Sequence, residues 1–139
     1  MNLIEQLRRD EGEVLHAYQD SLGYYTIGVG RMIDVRKSGG ITLEESAHLL
    51  QNDIDRITAQ LEKNLSWFAG LDQVRKDALT NMAFNMGINH LLGFHQTLVY
   101  MAQGNYDAAA TEMLNSAWAS QVGARAQRLS VQIRTGAYV

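Results

Sequence analysis

The chain contains no cysteine and no proline. Without cysteine there is neither a disulfide framework nor a thiolate metal site, which fits folding in a cytoplasm. Without proline no element is punctuated by a fixed φ, so boundaries must be read from glycines and capping residues. No apolar run approaches the ~20 residues of a membrane-spanning helix, so no integral membrane segment is expected. The first residues lack the basic, then apolar, then small-residue order of a secretory signal. Lysine and arginine number 12 against 15 acids. That is too sparse for a nucleic-acid groove, and nucleic acid is not an expected partner. Low-complexity runs and internal repeats are also missing, which argues against wholesale disorder. The histidines at 16, 48, 90 and 95 show no i, i+4 pairing of the metal-ligand kind, and no metal or cofactor is expected.

What remains is 139 residues with 46% apolar content, enough to fill one core in a single domain of two lobes. The net charge of -3 is unevenly spread: residues 1–65 hold eleven acids and seven bases, whereas residues 119–139 hold Arg125, Arg128 and Arg134 and no acid.

Asn2 with Glu5 three residues on is a capping box, and Leu3, Ile4 and Leu7 form an apolar face, so a short helix runs to Asp10 and Glu11 and stops at Gly12. From Val14 to Gly30 the text alternates, then turns rich in β-formers broken by glycine, which predicts a small antiparallel sheet. Residues 34–40 read as a loop. Thr42 and Glu45 then open a long helix whose Leu43, Ala47, Leu50, Ile54, Ile57 and Leu61 form one stripe, expected to be core. Asp72 caps a further helix to Met86, broadly apolar and hence expected to be central. Shorter helices follow at about 90–92, 95–103, 106–115 and 124–134, punctuated by Gly93, Gly104, Gly123 and Gly136. The fold class is α+β, with the lobes at 12–41 (sheet), 42–63 (linking helix) and 1–11 with 64–139 (helical bundle).

Within this frame three polar groups stand close in sequence. Glu11 ends a helix, where the dipole disfavours negative charge, as suits a proton donor. Asp20 sits in a polar turn and should remain ionised, and the Thr26 hydroxyl could hold a water against it. Two carboxyls and a water are the requirements for hydrolysing a glycosidic bond.

The stretch Glu11-Gly12, Tyr18, Asp20 and Gly23-Tyr24-Tyr25-Thr26-Ile27-Gly28-Val29-Gly30 resembles the T-even phage lysozyme family of endolysins. The likeness continues through Ile41-Thr42 to Asp53, Arg75 to Gly87, Gly93-Phe94, Trp118, and Arg125-Ala126, Arg128 and Arg134-Thr135-Gly136. The resemblance implies a lysozyme-like fold and a muramidase. Such an enzyme cleaves the β-1,4 bond between N-acetylmuramic acid and N-acetylglucosamine in peptidoglycan with inversion and without a cofactor. Glu11 would be the acid, and Asp20 with Thr26 would activate water. By position in the family pattern, Met32, Phe84, Asn85, Phe94 and Thr97 are candidate substrate contacts. Arg125 is expected to pair with Glu11. Arg31 replaces the histidine of familiar members and is expected to pair with Asp53. Glu112 stands where a neutral cleft residue is expected, and the sheet lobe is shorter than in familiar members. The resemblance further implies a monomer acting on peptidoglycan. It would accumulate in the host cytoplasm and be released with the help of a membrane-permeabilising partner. A peptidoglycan-binding module without turnover and a lytic transglycosylase are the alternatives.

Overall fold

The structure, a computed structural model, describes residues 2–33 and 39–139; residues 34–38, most of the loop expected at 34–40, lie outside them. The α+β order expected from the sequence is observed, with strands early and helices after. Two compact units divide the chain, Met1–Leu49 and Leu50–Val139.

The first unit opens with α1 (Leu3–Glu11), where the Asn2 side chain accepts from the Glu5 N–H and Glu5 reaches back to the Asn2 N–H. Gly12 ends the helix at φ 78. Strands β1 (Val14–Gln19), β2 (Tyr25–Gly28) and β3 (Arg31–Met32) form an antiparallel sheet in that order. Tyr18 faces Thr26, Thr26 faces Met32, and the β1–β2 register shifts between Val14 and Tyr18. Helix α1 belongs to the same compact unit as the strands.

Helix α2 (Leu43–Asn64) begins in the first unit and continues into the second. Thr42 Oγ1 accepts from the Glu45 N–H, and Glu45 Oε1 accepts from the Thr42 N–H, which is the expected box. Its stripe is core only in its C-terminal part. Ile57 and Leu61 are buried, but Leu43 is 91% and Leu50 50% exposed. Heptad-like spacing says which face of a helix is apolar; burial also needs another surface to cover it. Likewise Leu3, Ile4 and Leu7 on α1 remain exposed.

After a 3-10 turn at Phe68–Gly70 come α3 (Gln73–Met86), α4 (Ile88–Leu92), α5 (His95–Ala102), α6 (Tyr106–Leu114), α7 (Ala117–Val122) and α8 (Ala124–Thr135). The sequence reading missed α7. Its six residues are too few to show a period, although Ser116 caps it by accepting from the Ala119 N–H. No helix among the described residues is long and apolar enough to cross a membrane. The core lies in the second unit, where Leu61, Phe68, Leu79, Met82, Leu91, Met101, Met113 and Ile133 are fully buried. Full burial of one such side chain contributes roughly 1.5–3 kcal/mol. Helix α3 is central as expected, with Ala78, Leu79, Met82 and Ala83 inside, but its Asn81, Phe84 and Asn85 are exposed.

Arg75 ties α3 to the end of α8. Its Nε donates to the Ile133 carbonyl at 2.7 Å and a terminal nitrogen to that of Arg134 at 3.1 Å. Those carbonyls belong to the last turn of α8, which has no intrahelical donors left for them. The guanidinium also lies 3.7 Å from the Tyr106 ring centroid, and Gly136, at φ 70, leaves it room.

Asp72 caps α3 through the Arg75 N–H and meets the Arg75 guanidinium at 3.0 Å. Partial burial works against its charged form, but the Arg75 side chain and backbone N–H outweigh it and hold the carboxyl below its usual range. The Thr42 N–H, and after it Arg31, hold the exposed Glu45 low in the same way. A lowered folded value means stability that is present above the unfolded carboxyl value and lost as pH falls through the folded one. Acid unfolding of Asp72→Asn is therefore expected to show a shallower loss of stability below about pH 4 than the parent. Urea midpoints measured from pH 2 to 7 check this, and parallel curves for the two proteins would refute it.

Candidate active site

The three residues singled out as catalytic lie in the first unit. Glu11 is the last residue of α1, and its side chain reaches the turn between β2 and β3. A Cβ built on Gly30 would lie 2.7 Å from Glu11 Oε2, 3.1 Å from Cδ and 3.3 Å from Cβ. Gly30 is also at φ 64, a conformation that side chains other than glycine's adopt with strain. Two independent requirements thus select glycine here, and one of them is the space that the acid's carboxyl fills. The sequence reading did not single out Gly30. A glycine in a Gly-Val-Gly turn reads locally as turn chemistry, and its nearness to Glu11 is a tertiary fact.

Asp20 occupies the turn between β1 and β2. Its N–H donates to the Tyr24 carbonyl at 2.8 Å, and its carbonyl accepts from the Gly23 N–H at 3.0 Å. One carboxylate oxygen, Oδ1, accepts from the Leu22 and Tyr24 N–H groups, both at 2.9 Å. These two bonds fix the side chain and leave Oδ2 without a donor among the described residues. A carboxylate oriented in this way can accept a proton from water through the second oxygen.

Thr26 sits in the middle of the sheet, flanked by Tyr18 on β1 and Met32 on β3, and is 3% exposed. Residues paired across antiparallel strands project to the same face. Its hydroxyl donates to the Tyr24 carbonyl at 3.2 Å, which leaves the oxygen's lone pairs for accepting. That same carbonyl accepts from the Asp20 N–H, so Asp20 and Thr26 are referred to one backbone oxygen. Met32, half-buried, is beside Thr26 in the ladder.

The other candidates lie in the second unit, apart from Arg31. Phe84 is 44% exposed and lines a pocket of about 330 Å³ with Leu50, Ile54, Asn81 and Arg125. Asn85 is exposed, and its Oδ1 accepts from the Trp118 indole N–H at 2.8 Å. Phe94 meets Trp118 edge-on, with ring centroids 6.2 Å apart. Thr97 is 1% exposed, so its contact with any ligand is limited to the wall of a second pocket, about 290 Å³, that also includes Phe94, His95 and Glu112.

The cations expected in supporting ion pairs have these partners within their own units. Arg125, expected on Glu11, donates to Asn81: Nε to Oδ1 at 2.9 Å and a terminal nitrogen to Oδ1 at 2.7 Å. Arg31, expected on Asp53, pairs with Glu45 at 2.8 Å and donates to the Gly40 carbonyl at 3.0 Å. Asp53 meets Arg56 at 3.4 Å, one helical turn along α2. In each case the cation takes an acceptor offered within its own compact unit. Sequence order carries no information about which of several plausible acceptors a long side chain will reach.

One family model and three relatives show what this chain is similar to. The family model described as phage lysozyme matches residues 8–134. A probable T4-type lysozyme of Dictyostelium discoideum is 34% identical over an alignment covering 95% of this chain and 93% of that protein. An endolysin of Salmonella phage P22 is 36% identical over 81% of this chain and 79% of its own. The pre-baseplate central spike protein Gp5 of Enterobacteria phage T4 is 32% identical over 98% of this chain, which corresponds to 28% of that longer protein.

Proposed function

Because the chain belongs to the phage lysozyme family, and so is a lysozyme-type glycoside hydrolase, we propose that it hydrolyses the β-1,4 bond between N-acetylmuramic acid and N-acetylglucosamine in peptidoglycan with inversion. Glu11 donates a proton to the leaving oxygen. Asp20, through Oδ2, takes a proton from a water that the Thr26 oxygen helps to hold, and that water attacks the anomeric carbon from the opposite face. An inverting pair requires ~6.5–9.5 Å between its carboxyls to admit the water. The observation that carries the reading is the convergence within one small unit. Glu11 is packed on the Gly30 turn, and Asp20 and Thr26 share the Tyr24 carbonyl on the sheet that leads into that turn.

The physiological role we propose is lysis of a bacterial host by a monomer that accumulates in the host cytoplasm and reaches the wall once a partner has permeabilised the membrane. Support for this comes from the endolysin names among the relatives.

The stereochemistry tests the mechanism. Proton NMR in the first minutes of digestion is expected to show the new reducing end as the α-anomer. A β-anomer would identify a retaining enzyme, and a 1,6-anhydro end, lighter by one water, would identify a lytic transglycosylase. Co-sedimentation with peptidoglycan in the absence of any new reducing end would leave only a binding module.

A further inference from the structure

Strand β3 is two residues long, Arg31 and Met32, and stands at the edge of the sheet. It follows directly on Gly30, the residue against which the Glu11 carboxyl rests, and Met32 is the ladder partner of Thr26. A strand this short is held weakly by its sheet alone. On its inner side it has β2, through Thr26 with Met32 and Ile27 with Arg31, and just beyond it the Ile33 N–H donates to the Tyr25 carbonyl at 2.8 Å. What fixes its outer side decides how firmly the Gly30 turn is placed.

Gly40 fastens that outer side in two directions. Its N–H donates to the Met32 carbonyl at 2.8 Å, and its carbonyl accepts from Arg31 Nε at 3.0 Å. A terminal nitrogen of Arg31 donates to Glu45 Oε1 at 2.8 Å, and the same oxygen accepts from the Thr42 N–H at 3.0 Å. One guanidinium thus joins the strand both to Gly40 and to the N-terminal cap of α2. A planar fork of donors serves two acceptors in fixed geometry, whereas an ammonium is a compact point charge. The Arg31 and Glu45 side chains are 45% and 41% exposed, so their ion pair contributes little to stability. Its consequence is geometric, and all of its parts lie in the first unit.

We propose that Arg31 and Glu45 are positioning residues for Glu11: together with Gly40 they clamp β3 to the start of α2 and so hold the Gly30 turn against the carboxyl. The inference rests on the reading of Glu11 as the proton donor. It gives Arg31 a task other than the pairing with Asp53 that the family resemblance implies. Without the clamp the Gly30 turn drifts from Glu11, and the carboxyl loses the contact that fixes it. A displacement of about 1 Å at a reacting group costs about 10²-fold in rate, and partial loosening costs less.

Arg31→Met keeps an apolar stem and removes every side-chain donor. It is expected to lower kcat for peptidoglycan hydrolysis about tenfold, with KM within about twofold of the parent. The thermal midpoint should stay within a few degrees, because the pair is exposed. Arg31→Lys keeps the charge without the fork and is expected to lower kcat only about threefold. Glu45→Gln keeps an oxygen for the Thr42 N–H; it is expected to lower kcat about threefold in the parent and not at all in Arg31→Met. NMR reads the placement without any turnover. Nuclear Overhauser effects from the Gly30 α protons to the Glu11 side chain are expected to be strong in the parent and weakened in Arg31→Met. Effects as strong in Arg31→Met as in the parent overturn the clamp, whatever the rates. Weakened effects with unchanged kcat overturn the positioning role, as does a loss carried by KM. Equal losses from Glu45→Gln in both backgrounds remove Glu45 from the clamp. If Arg31→Met also loses the cross-strand effects between β1 and β2, the sheet itself has gone, and Arg31→Lys decides by the same criteria. A parent that shows the expected Overhauser effects, weakened in Arg31→Met, and hydrolyses nothing sinks the proposed reaction and leaves the clamp standing.

Discussion

Glu11→Gln is expected to slow the clearing of a permeabilised bacterial suspension by about 10³-fold while leaving the thermal midpoint within a few degrees of the parent. A general acid contributes this much because the departing sugar oxygen cannot leave as an alkoxide near neutral pH. The substitution is close to isosteric, so the contact with the Gly30 turn survives and the effect reads chemistry. Asp20→Asn supplies the matching experiment. Its remaining side-chain oxygen can still accept from the Leu22 and Tyr24 N–H groups, so the turn is kept while the second oxygen, the proposed base, becomes an amide nitrogen. Retention of a tenth or more of the parent rate by Glu11→Gln would remove it from the acid role.

Gly30→Ala should lower the same rate by about 10²-fold through geometry alone. The added methyl would occupy space now held by the Glu11 carboxyl, whose Oε2 is 2.7 Å from that point, and the backbone at φ 64 cannot easily rotate to relieve it. Of the two parties the carboxyl is the one that can yield, being the far end of a flexible side chain. The acid therefore moves while the sheet persists, and a displacement near 1 Å at a proton donor is enough for a loss of this size. Parallel measurement of KM and kcat separates this from a general weakening. The fall is expected in kcat, with KM within about twofold of the parent. An active Gly30→Ala would show that the Glu11 position seen here is not the one from which it acts.

Much of the fold was legible locally. Asn2 with Glu5, Thr42 with Glu45, and Asp72 announced three helix starts, and all three caps are formed. A cap is a contact between residues three apart, so the text that encodes it is contiguous. Helix α7 escaped because six residues do not complete two turns. The α2 stripe shows the other limit: its spacing identified an apolar face, yet Leu43 and Leu50 on that face are exposed.

By itself, then, the sequence determined the order of strands before helices and the caps of α1, α2 and α3, and through its likeness to a family it nominated Glu11, Asp20 and Thr26 as the residues to test. The hydrogen bonds of Asp20 and Thr26 go to residues two to four positions away, whereas the tertiary structure alone decided what Glu11 touches. Gly30 lies against Glu11 from nineteen positions along the chain (30 minus 11), Asn85 is clamped by Trp118 from a separation of 33 residues, and Asn81 by Arg125 from 44. Arg31 likewise pairs with Glu45, 14 positions along the chain. Periodicity and capping depend on neighbours a turn away. The choice among distant acceptors depends on where folding has carried the backbone and on which rotamer packing then permits.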